Sequence, residues 1–314
     1  MRRLKILIWH IHGSYLNTLA RIEHDWYLPV KPDRGTGYGG RGPSFDLPPY
    51  VREVPAAAVR DLDLDLVIFQ TPQNYFEDQP EILSRAQQRL PQIYLEHNTP
   101  RPHPTDSRHP IDDPNVLLVH VTDYNRLMWD NGRTPTVVIE HSVAIDPTAR
   151  YRGEREQGIV VVNGMQHRPR IAGYDIFMQA RRQVPLQAVG MQTEELGGLG
   201  DIPYRHLHQR IADYRFLFSP MRYTSMPLAV VEALTVGMPV VALATTALPS
   251  VIENGVNGYV SCNPAFLIDR MQALLADPDL ARQLGANARA TAQERFGLDR
   301  FIRDWNELFA RVTQ

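Results

Sequence analysis

The chain has 314 residues, 43% of them hydrophobic and 22% charged, an ordinary globular composition with enough length for about two domains. Lys and Arg total 33 and Asp and Glu total 35, so a net charge of −2 predicts neither a nucleic-acid partner nor an acidic tail. The single cysteine, Cys262, excludes an internal disulfide and a cysteine-rich metal site.

The chain begins with the run MRRLKILIWHIHG, which has a basic tip and a short apolar stretch. His10 and His12 interrupt that stretch, so it indicates a first β-strand and not a signal peptide. No run approaches the about 18 consecutive apolar residues of a membrane-spanning helix. We therefore expect a cytoplasmic protein without a transmembrane segment.

Short runs of Val, Ile, Leu and Phe recur along the chain and predict strands that are buried on both faces. Five lie in the first half, at residues 5–9, 65–70, 92–96, 116–121 and 136–140, and five in the second, at 158–163, 186–190, 215–219, 239–243 and 258–261. Helices are predicted at 15–23, 81–90, 123–130, 174–183, 204–212, 227–236 and 264–275, with two more from about residue 279 onward. This alternation predicts an α/β protein with two doubly wound units.

The polar stretch 146–157 lacks apolar periodicity and is the predicted linker. It separates an N-terminal domain, residues 1–146, from a C-terminal domain, residues 147–290, which is followed by a terminal helix over 291–314. That helix repeats apolar residues at helical spacing and should pack against another element.

Residues 31–49 fit neither strand nor helix, because they contain five glycines and four prolines. The run includes a formal GxGxxG at Gly35, Gly37 and Gly40, but a dinucleotide site would need a strand before it and a helix after it. A mobile connection is the favoured interpretation, and a lid over an acceptor site is the alternative.

Ligands of open α/β sheets bind beyond the carboxyl ends of the strands. In the first half, Gly13 follows the first strand closely, and His97 follows the strand 92–96 in the run E-H-N-T-P. His97 could therefore face a cleft, although a structural, hydrogen-bonded histidine is the alternative. The histidines and Cys262 lack the spacing of metal ligands, so no metal is expected.

Two segments in the second half of the chain contain the strongest candidates for ligand-binding residues. Arg168 and Arg170 lie in a strand-to-helix loop and suit a phosphate or diphosphate, with a solvated basic loop as the alternative.

The second place is the block 218–242, where a strand, a loop and a helix follow one another. Thr224 and Ser225 are predicted to cap the helix, and the backbone amides around Met226 and Leu228 could bind a phosphate. Glu232 lies within the helix among apolar residues and could accept hydrogen bonds from a ribose diol.

This block resembles the donor-binding region of glycosyltransferase family 4 (group 1). The resemblance rests on the run E-A-x-x-x-G-x-P-V-V-A at residues 232–242 and N-G-x-N-G at 254–258, with weaker agreement in the first half at Gly13 and His97. It implies a GT-B fold, with two Rossmann-like domains facing a central cleft, and a retaining enzyme. The N-terminal domain would bind the acceptor, a sugar, glycan or small molecule, and the C-terminal domain a nucleotide-sugar donor.

The resemblance also implies roles for single residues. Gly13, Arg168, Arg170, Thr224, Ser225, Met226, Leu228 and Glu232 would bind the donor, and His97 would be catalytic through contact with the sugar. The nucleotide-sugar is a co-substrate, and no cofactor is expected.

The chain departs from the family at four positions, one of which is Pro227, where the family often has a glycine. Thr224 stands where the family has the first carboxylate of a Glu-x7-Glu pair, and Met165 and Ala172 stand where it has an arginine and a lysine. A non-catalytic GT-B protein that binds a nucleotide or acts as a partner subunit is therefore the alternative to a divergent transferase. A sugar-nucleotide epimerase is a third interpretation.

Overall fold

The computed structural model describes residues 2–314, which divide into two compact units. Unit 1 comprises the residues up to Ala144 together with Leu298–Gln314, and unit 2 comprises Ile145–Gly297. No helix in the described part of the chain is both long and apolar enough to cross a membrane.

Unit 1 is built on a sheet of seven parallel strands in the order β3-β2-β1-β4-β5-β6-β7. The strands are β1 Lys5–Ile8, β2 Asp25–Val30, β3 Val51–Pro55, β4 Leu66–Phe69, β5 Gln92–Glu96, β6 Val116–His120 and β7 Thr136–Val138. Its first helices are α1 Gly13–Leu19, α2 Gln79–Ile82 and α3 Asp123–Met128. The strand order reverses between β1 and β4, the position where open α/β sheets form a ligand-binding crevice.

Unit 2 contains five parallel strands in the order β12-β11-β10-β8-β9. They are β8 Arg155–Val161, β9 Leu186–Val189, β10 Tyr214–Ser219, β11 Val240–Leu243 and β12 Gly258–Ser261. The helices are α4 Pro169–Ala172, α5 Tyr174–Ala180, α6 Tyr204–Ile211, α7 Leu228–Val236, α8 Pro264–Ala276 and α9 Pro278–Arg295. Here the order reverses between β8 and β10, so the loops after these two strands flank the equivalent crevice.

The last helix, α10 Leu298–Val312, belongs to unit 1. It buries Phe301, Trp305, Leu308 and Phe309. Phe301 lies with its ring centroid 5.7 Å from that of Tyr15, and Phe309 lies 6.2 Å from Trp26. The apolar residues at helical spacing on α10 therefore pack into the core of unit 1.

A buried arginine stabilises unit 2 without a carboxylate partner. Arg215 on β10 is 4% exposed, and its guanidinium donates to the carbonyl oxygens of Gly153 at 2.8 Å, Leu274 at 3.2 Å and Leu275 at 2.9 Å. Leu274 and Leu275 lie in the last turn of α8, whose carbonyl groups have no partners within the helix. The positive charge thus caps the negative end of that helix dipole.

The predicted class, an α/β protein with two doubly wound units, is confirmed, but several elements differ. β2 and β3 were not predicted, because Pro29 and the charged run V-R-E-V-P obscure their β pattern. The helix predicted over 81–90 is wrong: a π-helix at Asn74–Asp78 leads into the short α2, and Leu83 adopts an extended conformation. The predicted linker over 146–157 is also too long, since β8 begins at Arg155.

Candidate functional site

The loops that follow β8 and β10 lie together at the crevice of unit 2. Arg222 donates its backbone N–H to the carbonyl oxygen of Ile171 at 2.8 Å, and this bond joins the two loops. Gly173 has a φ of 75°, and a Cβ there would collide with the carbonyl oxygen of Pro220. Glycine is therefore required at Gly173 for both its backbone conformation and the close approach of the loops.

Arg168 and Arg170 are exposed in this loop pair, but both already have partners. Arg168 Nη2 donates to the carbonyl oxygen of Asn163 at 2.8 Å, and Arg170 Nη1 lies 2.8 Å from Asp175 Oδ2. Arg222, which sequence reasoning missed, holds both carboxylate oxygens of Asp175 at 2.5 and 2.7 Å. The hydrogen bonds from Arg222 are the main cause that lowers the pKa of Asp175. Two guanidinium groups, those of Arg170 and Arg222, therefore share the Asp175 carboxylate, and Arg168 lies in the same loop pair.

Met165 and Ala172 add no charge to this loop pair, since both are fully buried apolar residues. The basic groups of the loops are thus Arg168, Arg170 and Arg222. The signal for Arg222 was present in the run S-P-M-R-Y-T directly after β10, but its pairing with Asp175 depends on the approach of two loops that are distant in sequence.

The start of α7 differs from the prediction that Thr224 and Ser225 cap it. The N-cap residue is Pro227, and no side chain caps the helix. Instead, the buried Ser225 Oγ accepts a hydrogen bond from the Met226 N–H at 2.7 Å. The Met226 amide is therefore already hydrogen-bonded, and Pro227 has no backbone N–H. The remaining backbone amides at the N-terminal end of α7 begin with that of Leu228. Thr224 is half-buried before this turn.

Glu232 is almost fully buried on α7, with 3% exposure, and two residues of α6 surround its carboxylate. Tyr204 Oη donates to Glu232 Oε1 at 3.0 Å, and His208 Nε2 lies 3.6 Å from Oε2. Tyr204 and His208 lie four residues apart and therefore share one face of α6. A carboxylate offers about four acceptor positions, so the bond to Tyr204 leaves acceptor capacity on Glu232.

His97 lies beyond β5 in unit 1, within a group of aromatic and histidine rings. Its ring centroid is 4.2 Å from that of His12 and 4.6 Å from that of Tyr15. Its Nε2 lies 3.0 Å from Gln70 Oε1, while the amide nitrogen of Gln70 donates to the carbonyl oxygen of Trp9. His97 Nε2 therefore carries the proton toward Gln70, and Nδ1 is left as an acceptor.

Desolvation keeps this group of histidines neutral. Burial is the first cause that lowers the pKa of His97 well below its usual value, and His12 and His141 lower it further. Burial also lowers the pKa of His12 to about 4 and that of His141 to about 3. Neutral imidazole rings at this sheet edge can accept hydrogen bonds from hydroxyl groups at physiological pH.

Gly13 begins α1, and the ring of Phe45 lies over it. A Cβ at Gly13 would collide with that ring, so a larger residue there would have to displace Phe45. Phe45 belongs to residues 31–49, a segment that was favoured as a mobile connection. Within and beside this segment, Arg41 donates to the carbonyl oxygens of Leu47, Pro48 and Val51, and Arg34 pairs with Glu53.

Among residues 2–314, no group of three or more His, Cys, Asp or Glu side chains is placed to hold a metal ion. The candidate site residues of unit 2 are the arginines of two loops and one buried carboxylate. Those of unit 1 include neutral histidines. The basic loops suit an anionic group, and the carboxylate and imidazoles suit hydroxyl groups.

Part of unit 2 is similar in sequence to a known protein family. Residues 192–291 match the family model described as "Glycosyl transferases group 1". A stretch of 97 residues is 36% identical to D-inositol 3-phosphate glycosyltransferase of Xylanimonas cellulosilytica, and 100 residues are 36% identical to the enzyme of that name from Streptomyces bingchenggensis. These stretches cover 30% and 31% of this chain, but only 23% and 22% of the two relatives.

Solved structures are similar over nearly the whole chain. Sucrose-phosphate synthase from Thermosynechococcus elongatus has a TM-score of 0.72 at 15% identity, covering 98% of this chain and 99% of that one. HepE from Anabaena, solved in complex with UDP, has a TM-score of 0.71 at 16% identity, covering 98% and 100%. The chain therefore has the GT-B fold of glycosyltransferases, and its second unit carries a segment similar to the group 1 glycosyl transferases.

Proposed function

We propose that the protein is a retaining glycosyltransferase of family 4, divergent at its donor site, that moves a sugar from a nucleotide-sugar to a hydroxyl-bearing acceptor. The observation that carries the proposal is the loop pair after β8 and β10, which presents Arg168, Arg170 and Arg222 at the crevice of unit 2. Fixed positive groups stabilise the charge that develops on a departing nucleoside diphosphate.

Glu232 and His97 are assigned to the hydroxyl groups of the donor. Glu232 keeps acceptor capacity beyond its bond to Tyr204, which supports the binding of a ribose diol. The neutral His97 offers Nδ1 as an acceptor, which supports contact with a hydroxyl of the transferred sugar. Gly13, Thr224, Ser225, Met226 and Leu228 complete the proposed donor site, in which the Met226 amide is already bonded to Ser225 Oγ.

The proposed reaction uses no metal and no cofactor. Cationic side chains and the open end of α7 supply the charge stabilisation that a divalent ion would otherwise provide. Activity that persists in excess EDTA is the expected result. Loss of activity in EDTA, with recovery on addition of Mn²⁺ or Mg²⁺, would contradict metal independence.

The test of the function is turnover of a panel of UDP-, GDP- and ADP-sugars with a mixture of sugar and polyol acceptors. We expect a glycosylated product whose anomeric configuration, measured by NMR, equals that of the donor. An inverted anomer would refute the retaining mechanism, and conversion of the donor into an epimeric sugar product without any acceptor, as distinct from simple hydrolysis, would indicate an epimerase.

A non-catalytic nucleotide-binding protein is the second candidate. The apolar Met165 and Ala172 and the uncharged Thr224 favour it, because three charged groups of related enzymes are missing there. This candidate predicts binding of nucleotides in calorimetry together with no transfer or hydrolysis of any donor in the panel. Measurable transfer would exclude it.

A further inference from the structure

The loop that follows β11 contacts the loop that follows β10 at two points. Thr245 and Thr246 are both half-buried and follow β11 in the run A-T-T-A. Thr245 Oγ1 donates to the carbonyl oxygen of Met221 at 3.0 Å, and Thr246 Oγ1 donates to that of Ser225 at 3.1 Å. The two hydroxyl groups therefore hold the segment 221–225 at both of its ends.

The backbone at Thr246 is strained. Its φ is 52°, in the left-handed region that is least favourable for a β-branched residue. Its hydroxyl proton is shared between the carbonyl oxygen of Ser225 and that of Thr245, which lies 2.8 Å away. Glycine would adopt this backbone conformation without a steric cost, but it has no hydroxyl group. Such strain persists where the surrounding contacts over-determine it, and it is concentrated at functional sites.

The segment 221–225 contains groups that the proposed function assigns to the donor. Arg222 lies within it and donates its backbone N–H to the carbonyl oxygen of Ile171 at 2.8 Å. Thr224 also lies within it, and Ser225 Oγ accepts from the Met226 N–H at its end. The segment belongs to no strand or helix, so no ladder or helical hydrogen bonds fix its shape. Its position therefore depends on bonds from the neighbouring loops.

We propose that Thr246, with Thr245, is a positioning residue for the donor, which holds the loop after β10 so that Arg222 and the turn at Ser225 face the diphosphate. The assignment rests on the proposed function, because it concerns the same donor site. Groups that stabilise a developing charge must already be in place when the charge forms. The hydroxyl of Thr246 contributes to that order at a position whose backbone conformation favours glycine.

Thr246→Gly and Thr246→Ser separate the hydroxyl group from the strain. Glycine relieves the strain and removes the hydroxyl, whereas serine keeps the hydroxyl. We expect Thr246→Gly to have a thermal midpoint close to that of the wild type, because the relief of strain offsets the lost hydrogen bond. A markedly lower midpoint would overturn the strain argument.

Thr235→Ala is the matched control. Thr235 is half-buried in the last turn of α7, and its Oγ1 donates to the carbonyl oxygen of Val231 at 2.7 Å. The substitution therefore removes a bond from a hydroxyl to a backbone carbonyl in the same unit, but outside the segment 221–225.

Isothermal titration with UDP, GDP and ADP, and with uridine, guanosine and adenosine, compares ligands with and without the diphosphate. We expect Thr246→Gly to raise the Kd of the diphosphate about 2- to 12-fold, the range for one neutral hydrogen bond, and to leave that of the nucleoside unchanged. Thr246→Ser and Thr235→Ala should bind both ligands like the wild type. An unchanged diphosphate Kd in Thr246→Gly, an equal loss for the nucleoside, or a serine variant as weak as the glycine variant would overturn the proposal.

Hydrogen exchange without any ligand tests the contact separately from the function. Mass spectrometry of the peptide 221–227, which includes the bonded amides of Arg222 and Met226, should show faster exchange in Thr246→Gly and wild-type exchange in Thr246→Ser and Thr235→Ala. Unchanged exchange in Thr246→Gly would show that Thr246 does not hold the loop. Faster exchange with unchanged diphosphate affinity would overturn the positioning role and leave the transferase standing. A wild type that binds none of the nucleotides would refute the proposed function and the donor role of Thr246 together, and the exchange result would still decide whether Thr246 holds the loop.

Discussion

Glu232→Gln separates a ribose-binding carboxylate from a structural one. The amide keeps an oxygen that can accept from Tyr204, whose hydroxyl lies 3.0 Å from Oε1. The His208 ring is 3.6 Å from Oε2, beyond a good hydrogen bond, so little interaction energy is lost there. We therefore expect the variant to fold, with a thermal midpoint close to that of the wild type.

Ligand affinity should fall much more than stability. A hydrogen bond to a charged group contributes about 1.5–3 kcal/mol, and its loss corresponds to a roughly 10- to 150-fold increase in Kd. Isothermal titration with UDP, GDP and ADP first identifies the nucleotide that binds the wild type, and the variant is then titrated with the same nucleotide. Because the ribose is common to all three, the loss should not depend on the base.

Two further variants make the result interpretable. Glu294→Gln removes the same charge from an exposed position on α9 and should bind like the wild type. Tyr204→Phe removes one donor from the buried carboxylate, so it should lower the free energy of unfolding by about 1.5–3 kcal/mol. If Glu232→Gln binds the nucleotide like the wild type, the carboxylate holds no ribose and the donor-site assignment is wrong.

Four further outcomes follow from the described contacts. Arg168→Ala combined with Arg170→Ala should raise the Kd of a nucleoside diphosphate at least about tenfold and leave that of the nucleoside unchanged, since each charged bond contributes about 1.5–3 kcal/mol; equal losses in titration would place both arginines outside the phosphate site. His97→Ala should lower kcat while nucleotide affinity is retained, and a parallel loss of affinity would contradict its assignment to the sugar. Burial lowers the pKa of His141 to about 3 from an unfolded value of 6.5, so unfolding binds a proton between these values and the free energy of unfolding falls as the pH decreases; calorimetry should show a smaller slope in His141→Phe, and an identical slope would refute this. Arg215→Met leaves two buried carbonyl groups and one partly buried one without their guanidinium donor and should lower the free energy of unfolding by at least about 3 kcal/mol in urea denaturation, whereas a change below about 0.5 kcal/mol would show that these carbonyls find other partners.

The elements that could be predicted are those whose signal is local and strong. The strands at the centres of both sheets are short continuous apolar runs, and two helices, α9 and α10, follow residue 277 where two were expected from about residue 279 onward. The helix predicted over residues 81–90 is wrong, because Ser84 and Gln87 bond to each other through their side chains and backbone amides. Such local bonds compete with a helix, and composition alone does not reveal them.

The sequence predicted which positions belong to the candidate site, but it did not predict which side chains contact one another there. The predicted strand ends identified the loops after β8 and β10 as candidate binding loops, because parallel strands place their carboxyl ends along one edge of the sheet. Arg222 was missed because its partner, Asp175, is 47 residues away in the chain. Tyr204 and His208 were missed because only the packing of α6 against α7 brings them to Glu232.

The sequence by itself determined the α/β class and the positions of the central strands, because these depend on hydrophobic runs within a few residues. Only the tertiary structure decided which groups are neutral, paired or available. Burial makes His12, His97 and His141 neutral, and folding of the segment 31–49 brings Arg34 to Glu53. These properties arise from desolvation and long-range contact, and neither is encoded in local sequence pattern.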